Sequence, residues 1–191
     1  MKESLHQYLQ NMQDGEEQAF RYVYDQTKDH VYRMVRCLSN RESDVCDIVN
    51  EVYLALVRSL PRYDRGKPFD SWLNGLIIRQ TRSWNRKLWR AFRITAKEQQ
   101  LMSPEEGESA DRHAAANERS RELAELLGGL SFKLRTVVVL RYYRDLTFAE
   151  IAETLDIPIG TVKSRHDAAM KKLRVSLTVR YEGKEDLSNV Y

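Results

Sequence analysis

Cysteine, glycine and proline are all scarce in this chain of 191 residues, which holds 2, 8 and 4 of them. Cys37 and Cys46 are too few for a disulfide framework, and no Cys-x-x-Cys pair occurs. Few glycines and prolines mean few turns, which favours long helices. No stretch approaches the roughly 18 consecutive apolar residues of a membrane span. The polar start, Met1 to His6, lacks the apolar core of a secretory signal. We therefore expect a cytoplasmic protein.

Sequence motifs of catalysis and cofactor binding are also missing. The chain has no Gly-x-Ser-x-Gly, no phosphate-binding Gly-x-x-x-x-Gly-Lys and no dinucleotide-binding Gly-x-Gly-x-x-Gly. The four histidines are scattered, without the spacing of a helical metal site: His6, His30, His113 and His166. We expect no enzyme, no cofactor and no metal ion.

The distribution of charge is more informative than the net charge of +3. Residues 61–100 carry 10 basic and 3 acidic side chains, and residues 157–191 carry 7 and 4. An acidic stretch, 101–126, separates these two basic blocks. Two basic blocks suit a polyanion that is held at two places, although a single such block is usually a solvated helix face.

Apolar residues recur at helical spacing along most of the chain, which predicts an all-α fold. The segment from Ser103 to Ser109 loses this period and is acidic, as linkers are. We therefore predict two small helical domains joined by a flexible linker. The expected bounds are 1–94 for the first domain, 95–120 for the linker, 121–176 for the second domain and 177–191 for a C-terminal tail.

Local signals predict where helices of the first domain begin and end. A break is expected near Asp14 and Gly15, and Ser43 is a candidate N-cap for a helix that ends before Pro61. A further helix is expected from about Phe69 to Arg90, with Trp72 on its buried face. In the second half of that helix, cations alternate with aromatic residues.

Residues 147–166 have the pattern of a helix-turn-helix. Thr147 and Glu150 have the spacing of a capping box, and Pro158 suits the first turn of a second helix. Val162 is expected to point inward. The residues expected to remain outside are types that contact phosphates and base edges: Thr161, Lys163, Ser164 and Arg165.

With these motifs in order, the chain resembles extracytoplasmic-function (ECF) sigma factors of the sigma-70 family. The run from Leu140 to Arg165 resembles their region 4. In the first half, Asp47 to Tyr53 resembles the Asp-Leu-Val-Gln-Glu-x-Phe helix of region 2, and Phe69 to Leu73 resembles its Phe-x-x-Trp-Leu signature. The chain departs from the usual pattern at four places: Asn50, Arg79, Ser83 and the run that begins at His166.

The resemblance implies a factor that binds core RNA polymerase and directs it to promoters. Asp47, Asn50 and Glu51 would contact the beta-prime clamp helices, and the second domain would meet the beta flap. The residues expected to hold and melt the −10 element are Arg62, Tyr63, Phe69, Arg79, Arg82, Trp84, Arg86 and Lys87, together with Trp89 and Arg90. Those expected at the duplex −35 element are Thr161, Lys163, Ser164, Arg165 and Lys171. An anti-sigma factor is a further expected partner.

A second interpretation remains open on the residues alone. A conventional transcription regulator with a C-terminal helix-turn-helix would bind duplex DNA as a dimer, at a palindrome. The first half of the chain discriminates against it. A helix with Asp-x-x-x-Glu and a strip of aromatic and basic residues suit polymerase and melted DNA better than a sensor domain.

Overall fold

The structure, a computed structural model, describes the backbone of residues 2–98 and 118–188, and within them the side chains of residues 5–91 and 123–178. Its elements in these ranges are helices joined by short turns. The chain divides into two compact units, Met1–Ala110 and Asp111–Tyr191. The prediction of an all-α fold with two helical domains is confirmed. The predicted linker core, Ser103 to Ser109, lies outside the described residues.

The first unit contains four helices. They are α1 (Lys2–Gln13), α2 (Glu17–Leu38), α3 (Val45–Ser59) and α4 (Phe69–Glu98). The predicted break near Asp14 and Gly15 is present, and Gly15 takes a positive φ of 87° there, which glycine adopts without steric cost. Because α1 ends in this tight turn, it folds back against α2.

The core of the first unit is built from the apolar stripes of α2, α3 and α4. The fully buried side chains include Val31, Met34, Leu38, Ile48, Leu56, Leu73 and Ile77. Their spacing of three or four residues within each helix places them on one face. This packing fixes which faces of α3 and α4 remain outside.

Tyr53 lies in an aromatic cluster at the edge of this core. Its ring centroid is 4.8 Å from that of Tyr24 and 6.2 Å from that of Phe20, and its hydroxyl lies 3.0 Å from Thr27 Oγ1. Burial raises the pKa of Tyr53 to about 12. The phenol therefore stays protonated in the folded state at a pH that ionises tyrosine in an unfolded chain.

A loss of stability at alkaline pH follows from this shift. The contribution of Tyr53 is complete below about pH 10, where unfolded tyrosine is neutral, and about 2 kcal/mol of it is lost as the pH rises toward 12. Urea unfolding at a series of alkaline pH values should show that Tyr53→Phe flattens this decline, whereas Tyr32→Phe, at an exposed tyrosine, leaves it unchanged. Equal slopes for the two variants would contradict the assignment.

The second unit contains α5 (Glu118–Gly128), α6 (Phe132–Tyr142), α7 (Phe148–Leu155) and α8 (Ile159–Ser188). The valine run of α6, Val137 to Val139, is buried. Arg135 is 4% exposed, and its Nη2 donates to Gly128 O and Leu130 O, both at 3.1 Å. It thereby satisfies carbonyl groups at the end of α5 that have no partner in that helix.

Three helix limits differ from the predictions. Helix α3 is preceded by a 3-10 turn, Glu42–Asp44, so Ser43 lies inside that turn and does not cap the helix. Helix α4 continues from the predicted end at Arg90 to Glu98, and α8 continues through residues 177–188, which were predicted as tail. Neither extension contains a proline that would end it.

None of the helices in the described part of the chain is long and apolar enough to cross a membrane.

Candidate functional site

The outward side of α3 carries the acidic and amide residues that the sequence singled out. Asp47 and Asn50 are exposed, and Glu51 is half-buried. Residues 47, 50, 51 and 54 follow the spacing of one helical face. Leu54 and Val57, which are 48% and 46% exposed, extend this face toward the end of the helix. We call these five residues the α3 face.

Leu54 and Val57 were missed by the sequence analysis. The signal was present, because both residues fall out of phase with the buried stripe of Ile48, Val52 and Leu56. An apolar side chain outside the buried stripe, next to exposed polar groups, is the composition of a contact surface whose centre excludes water.

The loop before α4 buries aromatic rings that were expected to be available for stacking. Tyr63 and Phe69 are 7% and 6% exposed. The Tyr63 ring lies 5.9 Å from Phe69 and 4.8 Å from Trp72, centroid to centroid, and its hydroxyl donates to Lys67 O at 2.5 Å. This corrects the prediction for Tyr63 and Phe69: their rings cover one another and close the loop. Trp72, predicted as core, is half-buried in the same cluster.

Cations follow the outside of α4 beyond this cluster. Arg62, in the turn before the helix, is also exposed. As far as residue 91, where the side chains of α4 are described, its exposed cations, which we call the basic α4 face, are Arg79, Arg82, Arg86, Lys87 and Arg90. Partial desolvation lowers the pKa of Arg79 from its usual value. With α4 anchored by Leu73 and Ile77, this face is held on a rigid support.

The two tryptophans of the same helix differ in their surroundings. Trp89 is 59% exposed and lies beside the basic α4 face. Trp84 is half-buried, and its indole N–H is shielded from solvent and meets no acceptor among the described residues. Trp84 therefore presents less of its ring to solvent than Trp89 does, and the −10 contacts of both residues stay predictions.

The helix-turn-helix is formed by α7 and α8, as predicted. The Thr147 N–H donates to Glu150 Oε2 at 2.7 Å, and the Glu150 N–H donates to Thr147 Oγ1 at 3.3 Å, which completes the capping box. The hydrogen bonds from Thr147 lower the pKa of Glu150. Asp156 ends α7 in the left-handed conformation, with φ 51°, and Val162 is fully buried.

Removing the cap should weaken the second unit. Thr147→Ala leaves the Glu150 N–H at the start of α7 without its acceptor, and we expect a loss of about 1 kcal/mol in the free energy of unfolding. Thr178→Ala, in the interior of α8, should cost nothing comparable, because alanine is the better helix former. Equal thermal stability of the two variants would contradict a stabilising role of the cap.

The first turns of α8 present most of the predicted DNA-contacting side chains to solvent. Lys163, Ser164 and Lys171 are exposed, and Thr161 and Arg165 are half-buried. Asp167, with a side chain 82% exposed, shares this region of the helix and was not predicted as a site residue. Between residues 159 and 178, where the side chains of α8 are described, its outward side is therefore basic, with Asp167 as a carboxylate within it.

Two family models match the chain in the order of its two units. Sigma-70 region 2 matches residues 23–91, and Sigma-70 region 4 matches residues 126–175. The first match covers the α3 face and the start and middle of α4. The second covers the helix-turn-helix.

Relatives match along most of their length. SigK of Mycobacterium ulcerans, an ECF RNA polymerase sigma factor, is 30% identical over 178 residues, which cover 90% of this chain and 92% of the relative. SigW of Bacillus subtilis, of the same description, is 25% identical over 184 residues, or 93% and 98% of the two chains. The chain belongs to the ECF RNA polymerase sigma factors, the alternative sigma factors that direct RNA polymerase to promoters.

Solved structures share the fold. CnrH, in complex with the cytosolic domain of CnrY, matches with a TM-score of 0.64 at 22% identity, over 90% of this chain and 96% of that one. The sigma factor RpoE from Bartonella quintana, in complex with the anti-sigma factor NepR, matches with a TM-score of 0.64 at 18% identity, over 84% and 97%.

Proposed function

We propose that the α3 face binds core RNA polymerase through the beta-prime clamp helices. The observation that carries this proposal is that Asp47 and Asn50 are exposed on the same side of α3 as the exposed apolar residues Leu54 and Val57. Carboxylate and amide groups pair with arginines of a partner helix, while the apolar pair supplies a desolvated centre. The second unit would meet the beta flap of the same enzyme.

Promoter DNA would be held at two elements. The helix-turn-helix presents Lys163, Ser164 and Arg165 to duplex DNA at the −35 element, where a recognition helix enters the major groove. The basic α4 face and Trp89 suit the melted −10 strand, because cations follow the phosphates and aromatic rings stack on the bases. The factor acts in the cytoplasm and contributes binding energy rather than a catalytic step.

An anti-sigma factor is a further proposed partner. Two proteins of the same fold are found in complexes: CnrH with the cytosolic domain of CnrY, and the sigma factor RpoE with the anti-sigma factor NepR. The α3 face suits such a partner, since covering it would block the polymerase contact directly. Competition between an anti-sigma factor and core polymerase for this chain follows from that arrangement.

Reconstitution with core polymerase tests the function. Core enzyme with this chain should start transcription at discrete sites on genomic DNA from its host, and neither component alone should do so. A chain that binds palindromic duplex DNA as a dimer without polymerase, and supports no initiation, would instead be the conventional regulator. The two outcomes are exclusive, and both are read from the same preparation.

A further inference from the structure

A histidine stands in the inward stripe of the recognition helix. Val162 and Ala169 are fully buried on α8, and His166, between them at helical spacing, has a side chain that is 16% exposed. A polar ring in such a stripe destabilises the packing unless its nitrogens are hydrogen-bonded.

His166 meets residues from two of the helices that pack on α8, α6 and α7. Its Nε2 lies 3.0 Å from the Tyr142 hydroxyl at the end of α6, and its ring centroid is 5.1 Å from that of Phe148 at the start of α7, nearly edge to face. On its own helix, its Nδ1 lies 3.4 Å from Asp167 Oδ1. Tyr142 and His166 share one hydrogen bond, whose donor depends on the tautomer of the ring, and the hydroxyl of the 60% exposed Tyr142 also lies 3.9 Å from Met170 Sδ.

The three-helix contact constrains rotation of α8 about its axis. Val162 and Ala169 are small, and apolar contacts of this kind are not directional. A hydrogen bond to Tyr142 is directional and weakens steeply when its geometry is lost. A rotation of about 20° moves a group about 5 Å from the helix axis by roughly 2 Å, which is enough to break a contact to a base edge.

We propose that His166, held by the Tyr142 hydroxyl and the Phe148 ring, is a positioning residue that sets the rotation of the recognition helix and so determines which bases its outward side chains reach. Such a rotation turns all the outward side chains of the helix through the same angle, including Lys163, Ser164 and Arg165. The inference rests on the proposed binding of the second unit to the −35 element. Its consequence is specific: loss of the contact lowers discrimination between DNA sequences more than it lowers stability or general affinity.

The test uses the full chain assembled with core polymerase. A promoter library randomised over the −35 element is first selected with the wild-type holoenzyme. Binding is then measured on the selected promoter and on the same promoter with a scrambled −35 element. The variants are Tyr142→Phe, His166→Leu and the two combined. His166→Gln is the rescue variant, because an amide can meet the phenol where Nε2 does. Tyr32→Phe, at an exposed tyrosine of the first unit, is the matched control for loss of a phenol hydroxyl.

The expected result is a fall in the ratio of selected to scrambled affinity. One lost hydrogen bond corresponds to a change of about threefold to tenfold in a binding constant. We expect the affinity ratio to fall by this factor for Tyr142→Phe and for His166→Leu. The combined variant should lose no more of the ratio than His166→Leu alone, because the two changes remove the same hydrogen bond. His166→Gln should regain much of the ratio, and Tyr32→Phe should keep all of it together with the wild-type thermal stability.

Two results would overturn the inference. If Tyr142→Phe and His166→Leu lower affinity for both promoters by the same factor, or leave the ratio unchanged, the contact only stabilises the unit. If the wild-type holoenzyme itself does not distinguish the selected from the scrambled element, the proposed −35 recognition is wrong and the inference fails with it. The wild-type measurement therefore separates the two failures.

Discussion

Core RNA polymerase should not be retained by the chain in which Asp47 and Glu51 are both replaced by lysine. The change turns two carboxylates on the α3 face into cations, which would face the arginines of the proposed partner helix. Removing one side of a desolvated charge pair costs several kcal/mol, and reversing it adds repulsion. We expect a fall in affinity of about a hundredfold or more, measured by pull-down of core enzyme at several concentrations.

The control changes the net charge by the same amount elsewhere in the first unit. Asp14→Lys with Glu16→Lys alters two exposed carboxylates in the turn between α1 and α2, and it should leave retention near the wild-type level. Circular dichroism of both double variants should match wild type, since surface charges contribute little to folding. Wild-type retention by the Asp47 and Glu51 variant would show that polymerase binds elsewhere.

Opening of the promoter should depend on Trp89 and on the cations beside it. Stacking of a base on an aromatic ring stabilises single-stranded DNA by about 1–3 kcal/mol, so Trp89→Ala should lower the open-complex fraction by roughly fivefold to a hundredfold. Arg86→Ala with Lys87→Ala should act in the same direction through the phosphates. Permanganate reactivity of unpaired thymines measures the open state, and retention of duplex promoter measures the closed one.

A premelted template separates DNA capture from folding. Trp89→Ala should recover on a promoter with an artificial bubble, because the cost of unpairing has been removed. Trp84→Ala provides the contrast: its ring is half-buried, so we expect lower thermal stability and no recovery on the bubble. Lys28→Ala with Arg33→Ala, on α2, should behave as wild type. Failure of the bubble to rescue Trp89→Ala would assign that residue to docking or folding.

The parts of the fold that were predictable depend on short-range patterns. The capping box requires only Thr147 and Glu150, three residues apart, and the inward position of Val162 follows from its spacing after Pro158 at the start of the second helix. The break at Gly15 is equally local. Each of these features depends on residues within one or two helical turns of each other, so residues that are close in the sequence are also close in space.

The parts that were not predictable depend on contacts between distant segments. Tyr63 is read from its neighbours as an exposed loop aromatic, yet Trp72, nine residues away in α4, covers it. The partner of His166, Tyr142, is 24 residues away on another helix. Burial of a single aromatic residue is decided by what packs on it, and composition alone does not contain that information.

Helix α4 packs in the core with its first half and presents exposed cations along its second half. Leu73, Leu76 and Ile77 hold its first half in the core, and the exposed cations begin two residues after Ile77 and continue to Arg90, a further rise of roughly 20 Å. Because the helix is already formed, binding a strand along it requires no folding of the support. Substitutions at its exposed positions leave the core contacts intact and change stability by only about 0.5 kcal/mol. The helix can therefore diverge in the DNA it accepts at almost no cost to folding, which is the property that a set of paralogues serving different promoters requires.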